Sequence, residues 1–296
     1  LSTPSSAARP AEPQGEFMRR FGLGVSARHE RFVTEFPHVR FEGCSGGGGR
    51  FDLGILFFCA QVWASDNTDP VARMRIQYGT SYLFPALTIG AHYSTAPNHI
   101  TQGTTRKRTR ALVAMCGTFG YELDLRKVPP HELQAMRRQV AAHRLISPVV
   151  RNGELYRLWD PFRCDYCAWM YVTPEHAAVF AFNLSSRFWS DLVPRLHLRG
   201  LDPNSLCDVT EPLPNNRMQK SGTLEVVHAG CNVYQLGAPR VRMYGATLMA
   251  IGIPLRFLTQ DDSLMFLLTK CLDEGESDAD AALDMRIAKQ PTDFNP

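Results

Sequence analysis

The chain has 296 residues, room for one large domain or two ordinary ones. Its 44% hydrophobic and 21% charged content matches ordinary globular usage and excludes a disordered or fibrous chain. A net charge of +3 with pI ≈ 8.4 is too mild for a nucleic-acid-binding face. No apolar run approaches the ~20 residues of a membrane-spanning helix, so neither nucleic acid nor a membrane is expected as a partner.

Residues 1–16 are polar and rich in Pro, Ser and Ala, which leaves too little apolar surface to offset ordering entropy; the segment is expected to be disordered. It also lacks the apolar core of a secretory signal. Residues 21–36 suit a helix, and 39–42 a short strand that runs into Cys44-Ser45-Gly46-Gly47-Gly48-Gly49-Arg50. Residues 52–60 suit a short apolar helix, and 61–65 a second strand with Asp66 at its carboxyl end. Asp69-Pro70 opens a helix over 69–84, with aspartate as N-cap and proline where its missing donor costs nothing. A third strand at 87–92 and a helix at 109–116 follow.

This alternation predicts a parallel sheet with right-handed crossovers. It brings Cys44, Asp66 and His92 to the carboxyl ends of successive strands, the face on which a (β/α)8 barrel carries its chemistry. A complete barrel takes about 250 residues, so residues 17–128 hold about three of its eight units. They are therefore expected to be the carboxyl-terminal part of a barrel whose earlier strands lie outside this chain.

Pro129-Pro130 opens a helix to about residue 143. Short apolar runs follow at 155–159, 168–172, 177–183, 195–198, 206–209, 224–228 and 263–269, divided by turn signals at Asn152-Gly153, Asp202-Pro203-Asn204 and Asn215-Asn216. That spacing predicts an antiparallel β-sandwich over 129–272, with 273–296 as a mobile tail.

Four consecutive glycines are entropically costly, and they predict a place where backbone comes close to something, here a ligand. With Trp63 beside Asp66, the loop suits a polyhydroxylated molecule. A phosphate cradle is the competing reading, but Gly43 to Arg50 has neither the Lys of a Walker loop nor dinucleotide spacing. Arg50 and Asp52 are expected to fix the loop by hydrogen bonding. Asp66 could act as a catalytic acid or merely cap the next helix, a role that Asp69 fills more naturally. Trp63 could offer a ligand its face or its indole N–H, or be core; Cys44 could be a small buried hydrophobe, and His92 a satisfied core residue. Among eight cysteines, Cys164-Asp165-Tyr166-Cys167 is the one close pair, and no second pair completes a zinc site. No metal and no cofactor are expected.

The ordered series Cys44-Ser45-Gly46-Gly47-Gly48-Gly49-Arg50, Trp63-Ala64-Ser65-Asp66-Asn67-Thr68-Asp69, Arg75-Ile76-Gln77-Tyr78-Gly79-Thr80-Ser81, Gly90-Ala91-His92, Pro97-Asn98-His99 and Phe119-Gly120-Tyr121-Glu122-Leu123-Asp124 resembles the α-galactosidases of glycoside hydrolase family 36. The resemblance runs from about residue 21 to the end, densest over 36–125. It implies a retaining α-galactosidase that removes terminal α-linked galactose from melibiose- or raffinose-type oligosaccharides through a covalent glycosyl-enzyme. It further implies Asp66 as acid/base, with Cys44, Gly47, Trp63 and Asp66 at the sugar. The family's nucleophile lies in a Lys-Trp-Asp strand segment that this sequence does not contain. The resemblance thus leaves open a fragment without its nucleophile, a catalytically silent carbohydrate-binding piece, or a galactosyl-transferring relative of the raffinose synthase type. It admits a homo-oligomer for the full-length parent.

Overall fold

A computed structural model of the protein describes residues 14–184, 193–213, 241–257 and 260–271. Helix α1 (Gln14–Glu35) leads into strand β1 (Glu42–Gly43), a tight turn α2 (Ser45–Gly48) and the one-turn helix α3 (Leu53–Leu56). Strand β2 (Gln61–Trp63), helix α4 (Pro70–Thr80), strand β3 (Ile89–Ser94), helix α5 (Lys107–Met115) and strand β4 (Thr118–Glu122) complete this part. The four strands form one parallel sheet in chain order, with Glu42 opposite Gln61, Trp63 opposite Gly90 and Tyr93 opposite Tyr121. Side chains alternate across β3, so Tyr93 packs with Leu112 and Met115 of α5 while Gly90 and His92 take the other face.

Helix α6 (Pro130–Asn152) crosses to a six-stranded antiparallel sheet. Its members are β5 (Glu154–Trp159), β6 (Tyr166–Val172), β7 (His176–Asn183), β9 (Leu206–Thr210), β10 (Val241–Tyr244) and β12 (Ser263–Lys270), in the order β10-β9-β12-β7-β6-β5. Between them in sequence come β8 (Arg195–Leu196), α7 (Gly245–Ala250) and β11 (Ile253–Pro254), and β8 pairs with β11. Both faces of the large sheet are covered. Trp169, Tyr171, Phe180 and Phe182 pack against α5 and α6, whereas Met170, Val179 and Phe266 pack against Leu196, Leu248 and Ile253. Burial on both faces explains why β6, β7 and β12 read as apolar runs without polar alternation.

The two sheets share a core. The Tyr171 hydroxyl donates to the Cys116 carbonyl at 3.1 Å, Arg157 Nε donates to Ser81 Oγ at 3.0 Å, and Thr109 Oγ1 lies 2.8 Å from Ser263 Oγ.

Several expectations are corrected. Helix α1 begins at Gln14, so residues 14–16 of the segment expected to be disordered are helical; residues 1–13 lie outside the described residues, as do the strand at 224–228, the Asn215-Asn216 turn and the tail at 273–296. After the three strand–helix units, a fourth strand that the sequence reading did not place, Thr118–Glu122, pairs along β3. Helix α6 does not stop near residue 143: Ile146, Val149 and Val150 continue its buried face, and the helix runs past Pro148 to Asn152.

Candidate active site

The carboxyl ends of β1 and β2 carry Cys44, Gly47, Trp63 and Asp66, whereas His92, expected at a strand end, lies within β3. After β1 the chain makes a left-handed turn, with φ of +58° at Ser45, +66° at Gly46, +71° at Gly47 and +88° at Gly48. That conformation costs an ordinary residue roughly 1–2 kcal/mol, and glycine escapes the penalty. The Gly47 N–H donates to Cys44 Sγ at 3.5 Å across the turn.

The turn presses on the segment that follows β2. A Cβ on Gly47 would stand 2.6 Å from the Asp66 backbone nitrogen and 3.1 Å from its carboxyl carbon, and one on Gly48 would stand 2.5 Å from the Ala64 carbonyl oxygen. The close approach expected of the glycines is therefore made first to protein backbone beside Asp66. Gly46 has open space where its side chain would be.

Asp66 itself is exposed, and Cys44 Sγ lies 4.0 Å from its Oδ1. It does not cap α4. Asp69 does, its Oδ1 accepting from Val71 N at 2.9 Å and Ala72 N at 3.1 Å, while Oδ2 accepts from Thr101 Oγ1 at 2.8 Å. The rest of the loop is held by its own bonds: Asn67 N donates to Ser65 Oγ at 3.2 Å, Asp69 N donates to Asn67 Oδ1 at 3.0 Å, and Asn98 Nδ2 donates to Thr68 Oγ1 at 2.8 Å. A solvent-facing carboxylate on a fixed loop, its Oδ1 accepting only from the Cys44 thiol among the described residues, can give and take a proton.

Trp63 lies beneath, 8% exposed. His92 stacks on its ring with centroids 4.4 Å apart, and the Arg73 guanidinium sits over it at 4.6 Å. The face expected for a ligand is thus engaged by protein, which leaves the rim and the indole N–H, to which no described residue offers an acceptor. His92 Nδ1 lies 3.2 Å from Glu122 Oε2, and Gln61 Nε2 donates to Glu42 Oε2 at 2.5 Å. Burial brings the Arg73 guanidinium down to about 10, with Glu122 and Glu42 opposing the shift, so it stays charged at neutral pH.

Asp52 caps α3 through Ile55 N at 2.9 Å, and Arg50 lies over the Phe21 ring of α1. Of the close cysteine pair, Cys164 is exposed and Cys167 is buried in β6, where desolvation pushes its thiol well up. Sequence reasoning missed Arg73 and Glu122 as members of this cluster. Arg73 on a predicted helix carries no local sign of reaching back to strand carbonyls.

Residues 1–153 match the Melibiase family model, and residues 166–268 match the model of the glycosyl hydrolase family 36 C-terminal domain. The chain belongs to glycoside hydrolase family 36. Alpha-galactosidase 1 of Pediococcus pentosaceus is 45% identical over 205 residues, which are 69% of this chain and 28% of that protein. The crystal structure of the family 36 α-galactosidase AgaA from Geobacillus stearothermophilus superimposes with a TM-score of 0.74 at 37% identity, over 89% of this chain and 33% of that one. A variant of AgaA was solved in complex with raffinose, and this chain matches it with a TM-score of 0.74 at 34% identity, over 88% of this chain and 33% of that one. This family 36 chain therefore spans about a third or less of the length of these relatives.

Proposed function

We propose that this chain carries the acid/base half of a retaining α-galactosidase site, with Asp66 as the proton donor. The observation that carries the reading is the state of Asp66: exposed beside the glycine turn, and relieved of capping by Asp69. The parallel sheet is then part of a (β/α)8 barrel. Supporting this, α1 buries none of its residues, and Leu53, Phe57 and Leu83 are 77%, 83% and 80% exposed, surface that further barrel units would cover.

In the first step, a carboxylate supplied from outside this chain attacks the anomeric carbon while Asp66 protonates the departing glycosidic oxygen. The galactosyl ester forms as the C–O bond to the leaving group breaks. In the second, the Asp66 carboxylate takes a proton from water whose oxygen attacks the same carbon, releasing galactose and the first carboxylate. Cys44, Gly47 and the rim of Trp63 border the sugar. The relatives solved with raffinose and stachyose support α-galactoside oligosaccharides as substrates.

The test compares this chain with the full-length polypeptide that contains it, on p-nitrophenyl α-galactoside. The reading expects turnover from the full-length protein, with Asp66→Asn costing raffinose more than this activated substrate, and no turnover from this chain alone above a buffer blank. Turnover by this chain alone would place both carboxylates within it.

A further inference from the structure

Arg73 is 2% exposed, a position where an unpaired guanidinium would be costly, and its donors are directed at backbone that frames the site. Nη1 donates to the Ser65 carbonyl at 3.2 Å, the residue immediately before Asp66. Nη2 donates to the Gly90 carbonyl of β3, opposite Trp63 in the sheet. Nε donates to Gln77 Oε1 at 3.2 Å, and Gln77 Nε2 in turn donates to the Val113 carbonyl of α5 at 2.9 Å. The guanidinium plane also rests over Trp63.

We propose that Arg73 is a positioning residue for proton donation: its fork ties the Ser65 end of the Asp66 loop to β3 and clamps Trp63, so that the Asp66 carboxyl is held on the path of the departing oxygen. The assignment rests on Asp66 being the proton donor. A planar fork can serve two diverging carbonyls and an aromatic ring together, whereas a lysine ammonium at the same depth is a single point that cannot span them. The glycine turn presses on Asp66 from the β1 side, while Arg73 holds its neighbour from the α4 side. No bond from Arg73 reaches Asp66 itself, whose carboxyl is hydrogen-bonded only by the Cys44 thiol among the described residues and faces solvent.

A merely structural role and a positioning role differ in their dependence on the leaving group. p-Nitrophenolate departs with little help, but the sugar hydroxyl of raffinose requires protonation, so a displaced acid penalises raffinose more. The ratio of kcat/KM for the two substrates does not change with the fraction of enzyme folded. In the full-length polypeptide, Arg73→Lys is expected to lower kcat/KM for raffinose about tenfold more than for p-nitrophenyl α-galactoside, and Gln77→Met to do the same to a smaller extent. Equal loss on both substrates in both variants, total loss included, overturns the assignment. Asp66→Asn in the same background separates the two levels. If Asp66→Asn spares raffinose turnover, the α-galactosidase reading fails. If it shows the leaving-group differential and neither other variant does, only the role of Arg73 fails.

Discussion

Gly47 and Asp66 touch so closely that a single added carbon on the glycine would lie 2.6 Å from the aspartate's backbone nitrogen. The shape of the glycine turn and the position of the candidate acid are therefore one structural fact. The turn is left-handed because three of its four residues are glycine, and being left-handed it delivers Gly47 against the loop after β2.

Two substitutions separate handedness from contact. Gly46→Ala, at φ +66° with open space around the new methyl, should cost roughly 1–2 kcal/mol of stability from backbone strain alone. Gly47→Ala, at φ +71°, meets the same strain and the Asp66 backbone, so it should destabilise more and also displace the carboxyl. Thermal unfolding of both variants, alongside turnover in the full-length polypeptide, measures the difference. Equal unfolding temperatures would mean that the turn yields without disturbing Asp66.

The two aspartates of the β2–α4 loop should divide stability from activity. Asp69→Ala removes a cap that satisfies two backbone donors and should cost about 1 kcal/mol. Asp66→Asn should leave the unfolding midpoint nearly unchanged and slow raffinose hydrolysis by about 10²–10⁴-fold. A large loss of stability in Asp66→Asn would return that residue to a structural role.

Cysteine accessibility should report on the sugar site. Cys44 and Cys164 are exposed, whereas burial raises the thiols of Cys59, Cys116 and Cys167 and keeps them unreactive. Brief alkylation of the native full-length protein, read by peptide mass, should label the first two and spare the other three. Galactose should then protect Cys44 and leave Cys164 reactive. Protection of neither would remove Cys44 from the sugar contact.

His143 should make the fold acid-sensitive. Its pKa is lowered from 6.5, chiefly by burial and further by Arg151, and its ring lies 4.9 Å from that of Phe119. The unfolded chain takes up the proton more readily than the folded one. This contribution is therefore complete above 6.5 and is lost as pH falls through the lowered folded-state value. His143→Leu should flatten the decline in unfolding temperature between neutral and mildly acidic pH. An unchanged slope would assign the decline to other groups.

Local chemistry made much of this molecule legible from its residues. Asp69-Pro70 announced the start of α4 because capping and a proline at the first helical position depend only on neighbours in the chain. The apolar runs that became β6, β7 and β12 were visible because burial on both faces leaves little polar interruption. Asp66 could be placed at a strand end for the same local reasons. What the glycine run approaches could not be read in this way, nor could the engagement of the Trp63 ring by His92 and Arg73. Strand β4 escaped notice because its residues, except exposed Glu122, are all half-buried around Gly120, and its place is set by pairing with β3. Helix α6 passes Pro148 because Ile146, Val149 and Val150 have a core to enter. Caps, turns and apolar runs involve residues a few positions apart and are written in order along the chain. The meeting of Cys44 and Gly47 with Asp66, the engaged face of Trp63 and the reach of Arg73 depend on groups brought together from different elements, and only tertiary packing decides those meetings.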